Sequence, residues 1–183
     1  MRRGAAAVLP MLVPLLAALV LGASGLGRAQ GAKPALPVVV MDTAKGTIEI
    51  ELFPDEAPKS VAHISALIKR NFYRGLRFHY VNSAVAQVGD PSSRDMTKKD
   101  AWGAGGSGTK VGVEEFSKRK FVRGSVGIAH RGGAVQGDSQ IFIAKVVNPT
   151  LDGKYNMIGR VTRGMDVVDK IQMGDLLKIA TFK

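Results

Sequence analysis

The chain has 183 residues, 45% of them hydrophobic and 22% charged, so it can bury a core of its own and is neither disordered nor fibrous. It has no cysteine, which excludes disulfides, thiolate nucleophiles and cysteine zinc sites, and its 3 histidines (His63, His79, His130) are a poor basis for a metal site. The formal charge of +11 points to anionic surfaces or nucleic acid as classes to weigh.

Residues 1–29 have the layout of a secretory leader: Arg2 and Arg3, an apolar run over 4–21 broken by Pro10 and Pro14, and the small-x-small triplet Gly27-Arg28-Ala29. Cleavage after Ala29 leaves Gln30 first and predicts an exported protein, periplasmic or secreted, with no stable membrane insertion afterwards. The rival is a retained anchor, since the run is close to spanning length; the prolines and small residues favour cleavage. An exported chain without cysteine depends on its core alone for stability.

Residues 30–37 read as a short linker, and 38–183 as the folded domain, expected to be monomeric. Residues 38–43 are apolar and β-branched, Ala44-Lys45-Gly46 makes a turn, and 47–52 alternate, with Ile48, Ile50 and Leu52 on one face and Thr47, Glu49 and Glu51 on the other. The pair is an antiparallel hairpin. A helix follows, with Pro58 in its first turn, Asp55 and Glu56 at its positive end, Lys69 and Arg70 at its negative end, and an apolar stripe of Ala57, Val61, Ile64 and Ile68. Short β-like runs are expected at 76–81, 85–88, 125–130, 140–144 and 157–161. A second helix is expected at 164–172, with Met165, Val168 and Ile171 spaced by three, and a last strand near the end in LLKIATF. Strands and helices do not alternate as in a parallel sheet. The expected fold is a closed antiparallel barrel with two helices covering its open ends, which hides both sheet edges and helix stripes.

Two features imitate nucleotide or nucleic-acid binding. Residues 103–108, GAGGSG, match G-x-G-x-x-G, but a dinucleotide loop needs a strand before it and a helix after it, and KKDAW and TKVGV supply neither. The same stretch fails as a P-loop because Thr109 precedes Lys110 where lysine must precede the hydroxyl residue. A glycine-rich surface loop is the plainer reading. Lys118-Arg119-Lys120 with Arg123 forms a basic run, but charge alone is non-specific, and Phe121 reads as a core anchor rather than a stacking platform. No nucleic-acid partner is expected.

Five ordered stretches resemble the cyclophilin-type peptidyl-prolyl isomerases: APKSVAHISALIKRNFYRGLRFHYV, AVAQVGDP, EEF at 114–116, RGSVGIAHRGG with GDSQIFIA, and LDGKYNMIGRVTRGMDVVDKI. The stretches run from Ala57 to Ile171, and the resemblance as a whole covers roughly residues 38–182. The resemblance implies an eight-stranded antiparallel barrel capped by two helices, in agreement with the pattern above, and activity on proline-containing peptides or unfolded exported proteins.

Rotation about an X-Pro amide faces a barrier of about 18–20 kcal/mol, yet it breaks no bond and moves no proton. A catalyst therefore needs no nucleophile, metal or cofactor, only an apolar seat for the proline ring, donors that hold the peptide and a group that weakens amide resonance. The resemblance implies Phe142 as the ring-stacking residue, Leu151 as the floor, Tyr155 as a wall, Gln87 and Gln140 as holders of substrate backbone, and Ala129 as the contact for the residue before proline. His130 replaces the usual asparagine. Tyr80 stands at the family's catalytic arginine, and the SAVAQ segment is one residue shorter than the family's, leaving Val85 or Ala84 as the pocket wall. Thr150 stands where many relatives have tryptophan, against strong cyclosporin binding. Arg77, three positions from Tyr80, falls on the opposite strand face and is no substitute; Arg131 is the other candidate. An arginine donates with a fixed charge, a tyrosine only as a neutral group, and charge-assisted bonds are about twice as strong. The expectation is an isomerase of reduced activity, with a weakly catalytic or non-catalytic prolyl-peptide-binding module as the alternative.

Overall fold

A computed structural model describes residues 35–111, 118–130 and 137–183. The leader and most of the linker, Glu114 to Phe116 and Arg131 lie outside these residues. Among the described residues no helix is long and apolar enough to cross a membrane.

Among the described residues nine strands form one curled sheet in the order β3-β9-β1-β2-β8-β6-β7-β5-β4, with every neighbouring pair antiparallel. The expected hairpin is β1 (Val38–Thr43) with β2 (Gly46–Leu52). Thr43 pairs with Gly46, so Gly46 opens the second strand and the turn is Ala44-Lys45 alone. Ile48, Ile50 and Leu52 are buried and Glu49 and Glu51 face outward, as alternation demands.

The eight-stranded closed count is corrected at residues 76–81. Instead of one strand, this segment forms two dipeptide strands, β3 (Leu76–Arg77) and β4 (Tyr80–Val81), at opposite ends of the strand order. The backbone changes partners between them. Phe78 exchanges hydrogen bonds with Asp175 and Gly174, beside β9 (Leu176–Phe182), whereas the His79 N–H donates to Gln87 of β5 (Val85–Val88). The two end strands are thus joined by chain continuity and not by a ladder.

β6 (Ser125–Ile128), β7 (Ile141–Ala144) and β8 (Met157–Arg163) complete the sheet. β6 and β7 are buried along their whole length.

Helix α1 (Pro58–Lys69) begins at the expected proline. Val61, Ile64, Leu67 and Ile68 enter one cluster with Met41, Ile48, Ile50, Phe78, Val126 and Ile158. Each such burial contributes about 1.5–3 kcal/mol. Asp55 and Glu56 precede the helix rather than occupying its first turn, because the backbone first turns at Phe53; Glu56 pairs with Arg119. Helix α2 is shorter than expected, Met165–Lys170, yet buries Val168 in the same cluster. The short 3-10 helices Pro91–Arg94, Met96–Ala101 and Pro149–Leu151 have no hydrophobic period that pattern reading could detect.

Candidate active site

A second, smaller core lies apart from the first. Phe53, Phe121, Phe142 and Met157 are buried together, with Val85, Ala129, Leu151 and Tyr155 packed partly exposed against them. The Phe121 ring stacks on Phe142 with centroids 5.7 Å apart, and Tyr155 meets Phe142 edge-on at 5.4 Å. Phe121 is therefore a core anchor. Three cations of the neighbouring basic run are engaged: Arg119 pairs with Glu56 and lies over the Phe53 ring, Lys120 pairs with Asp152, and Arg123 forms a two-point pair with Asp169. That pair holds the Asp169 carboxyl below its usual range and the Arg123 guanidinium above its own.

The sheet register carries this core toward a cavity. Tyr80 pairs with Gln87, Gln87 with Phe142, and Phe142 with Gly127, so the first three side chains share one row on one face. Gly127 leaves the space that the Phe142 ring occupies; a Cβ there would sit 2.4 Å from the ring.

At the Tyr80 end of the row lies a cavity of about 480 Å³, lined by Tyr80, Gln87, Ala129, His130 and Gln140 together with His79, Lys110, Asp138 and the glycine-rich loop. Its hub is the Gln140 side chain. The Gln140 Oε1 accepts from Gln87 Nε2 at 2.7 Å and from His79 Nε2 at 3.0 Å, while Nε2 donates to the carbonyls of Gly103 at 3.0 Å and Gly105 at 2.7 Å. All four bonding positions of the amide are used, and the two carbonyls fix which end is the nitrogen. Behind the hub, Ser139 is tied down twice. Its carbonyl accepts from the buried Tyr73 hydroxyl at 2.7 Å, and its own hydroxyl donates to Gly89 O at 2.7 Å. Burial first, and the nearby Asp138 charge second, push the Tyr73 pKa far up, so this donor keeps its proton.

The loop that imitates a phosphate cradle is folded around carboxylates instead. Asp90 accepts from the Gly103 amide, and Asp138 from the Ser107 hydroxyl and the amides of Ser107 and Gly108. A Cβ on Gly105 would lie 2.4 Å from Asp90 and one on Gly106 2.2 Å from Asp138. The glycines admit the carboxylates, and a phosphate entering here would meet like charge.

His130 donates from Nε2 to Lys154 O at 2.8 Å and stacks on Tyr155 with centroids 4.4 Å apart. Tyr80 is 51% exposed, and its hydroxyl accepts from Asn82 Nδ2 at 2.9 Å. Arg77 turns its guanidinium to the Gly174 carbonyl, away from the cavity. The nine residues singled out from the sequence thus fall in two adjoining groups that meet at Ala129. Val85, Phe142, Leu151 and Tyr155 belong to the apolar core; Tyr80, Gln87, His130 and Gln140 belong to the cavity. Pattern reading missed His79, Asn82, Asp90 and Asp138. The Phe-His pair was the only trace of His79, and alternation sets it opposite Tyr80, although both line the cavity.

Comparison with known proteins decides the family. The family model described as cyclophilin type peptidyl-prolyl cis-trans isomerase/CLD matches residues 38–180. The chain belongs to the cyclophilin family. A Brucella suis protein named "Probable peptidyl-prolyl cis-trans isomerase" is 41% identical over 165 residues, covering 87% of this chain and 84% of the relative. A Helicobacter pylori peptidyl-prolyl cis-trans isomerase is 38% identical over 144 residues, 76% of this chain and 83% of the relative. Among solved structures, a Cryptosporidium parvum cyclophilin superposes with a TM-score of 0.69 at 22% identity, covering 81% of this chain and 98% of that one. This likeness shows the fold. The same Cryptosporidium protein solved in the presence of the dipeptide Ala-Pro gives a TM-score of 0.68 at 22% identity, covering 80% and 98%. The enzyme class is accordingly that of a cyclophilin-type peptidyl-prolyl isomerase.

Proposed function

We propose that this cyclophilin isomerises prolyl bonds in exported proteins, with Tyr80 acting as a neutral donor in place of a fixed positive charge. The observation that carries the reading is the single row Tyr80–Gln87–Phe142, which sets a hydroxyl, an amide and an aromatic ring side by side on one sheet face. The substrate proline rests against the exposed edge of the Phe142 core, between Leu151 and Tyr155, with Val85 as the outer wall and Ala129 beside the preceding residue. The Gln87 carboxamide, held through its nitrogen by Gln140, offers its Oε1 to a substrate N–H. The Tyr80 hydroxyl donates to the prolyl nitrogen as the amide twists, stabilising the pyramidal nitrogen and weakening C–N double-bond character. Because the donor is neutral, the rate falls below that of a protein with arginine at this position by roughly 10–150-fold, the equivalent of about 1.4–3 kcal/mol. A Cryptosporidium relative crystallised with Ala-Pro supports a prolyl peptide as the ligand class.

The leader-like residues 1–29 support export, with unfolded exported chains as clients and a monomeric mature domain. Protein recovered from the envelope or medium then begins at Gln30; full-length protein integrated in membrane overturns export by cleavage. Turnover of a cis-prolyl test peptide by the purified 30–183 domain tests the chemistry. Low but measurable turnover is expected. Binding of prolyl peptide without turnover favours a peptide-binding module, the reading that replacement of a charged donor by Tyr80 also favours.

A further inference from the structure

The segment between β4 and β5 is short, and one side chain organises it. Asn82 Oδ1 accepts from the backbone N–H of Ala84 at 2.8 Å and of Val85 at 2.8 Å. The Asn82 backbone N–H donates to Val85 O at 3.0 Å. This is an Asx turn, and it leaves no freedom in the amide: two backbone donors demand the oxygen, so the nitrogen faces the other way. There Nδ2 donates to the Tyr80 hydroxyl oxygen at 2.9 Å. The Tyr80 oxygen thus spends a lone pair on Asn82. Its own hydrogen is given to no described residue, and the ring lines the cavity.

We propose that Asn82 is the positioning residue of this site: its amide holds the Tyr80 oxygen as acceptor, so that the hydroxyl proton is presented to the substrate. The proposal rests on the reading of Tyr80 as the donor to the prolyl nitrogen. It assigns a purpose to the shortened segment, because the turn that replaces the missing residue is the one that fixes the amide. A bond received by the hydroxyl oxygen also polarises its O–H, strengthening it as a donor through the chain Asn82 to Tyr80 to substrate. Asn82 itself touches no substrate.

The turn and the donor can be separated. Asn82→Asp keeps an oxygen for the amides of Ala84 and Val85, removes the N–H that serves Tyr80, and places there a carboxylate that accepts the hydroxyl proton and turns it away from the cavity. Asn82→Ser keeps a turn-forming oxygen, is uncharged, and is too short to reach the hydroxyl. Both variants are compared with Tyr80→Phe in turnover of a cis-prolyl peptide, with the Ala84 and Val85 amide signals followed by NMR to show that the turn survives. The expected result is a fall in kcat of about 2–10-fold in all three, the usual range for one neutral hydrogen bond, with KM unchanged. Asn82→Asp combined with Tyr80→Phe should lose no more than Tyr80→Phe alone, because the two act as one unit. Wild-type kcat in both Asn82 variants, beside a reduced Tyr80→Phe, overturns the role of Asn82 and leaves Tyr80 standing. Wild-type kcat in Tyr80→Phe removes the donor reading, and Asn82 with it. A fall in the Asn82 variants together with loss of the Ala84 and Val85 signals assigns Asn82 to the turn alone and overturns the positioning role.

Discussion

The apolar core around Phe142 and the polar end of the same row at Tyr80 are neighbours built on different principles. Phe142 is held by Phe53, Phe121, Met157, Leu151 and Tyr155, which come from three separate stretches of chain and act through burial. Burial is non-directional and sums over many small contacts, so the ring keeps its place however any one contact shifts. Tyr80 is half exposed, and its hydroxyl is held by one hydrogen bond from a residue two positions away. A directional bond from a near neighbour can be changed by a single substitution. The ring is thus secured by the whole fold, whereas the Tyr80 hydroxyl depends on local sequence, and Tyr80 stands where the family resemblance implies an arginine.

Removing the ring should produce the largest effect. Phe142→Ala is expected to cost about 3–5 kcal/mol of stability, read from urea denaturation, and to abolish turnover. Phe142→Leu preserves most of the volume and separates the two consequences: it should remain folded while losing most turnover, because an aliphatic side chain supplies no flat face. Full activity in Phe142→Leu would break the comparison at its apolar side.

Tyr80→Arg sharpens the polar side. A charged donor on the same strand should raise kcat/KM by roughly 10–150-fold with little change in stability, since the position is exposed. An unchanged rate would show that the short β4–β5 segment, and not the charge at position 80, sets the limit.

Gln140→Ala probes the boundary between the two regions. It leaves the nitrogens of Gln87 and His79 and the carbonyls of Gly103 and Gly105 without their shared partner. A loss of about 1–3 kcal/mol is expected, moderated by water entering the open cavity. Proteolysis within residues 103–108 should accelerate, because the loop loses its tie to the residue that precedes β7, while the NMR signals of the Phe142 ring stay unchanged.

The residues reveal local order where one period or one turn dominates. The 4, 3, 4 spacing of Ala57, Val61, Ile64 and Ile68 marks a helix, and alternation from Thr47 to Leu52 marks a half-buried strand; both stand in the structure with the faces expected. The five ordered motifs identify the family without any tertiary information. Residues 76–81 were misread as one strand because periodicity reports which way side chains point and not which neighbour receives the backbone bonds.

What the sequence by itself determined was therefore the hairpin, the amphipathic helix and the family. Each is a property of residues close together in the chain or of motifs in a fixed order. Tertiary structure alone decided that Gln140 joins His79, Gln87 and the glycine-rich loop, and that Asp138 gathers amides 30 and 31 positions away. Those bonds form because a cavity-lining amide or carboxylate must find partners, and which partners lie within reach is set by the curl of the sheet and not by distance along the chain.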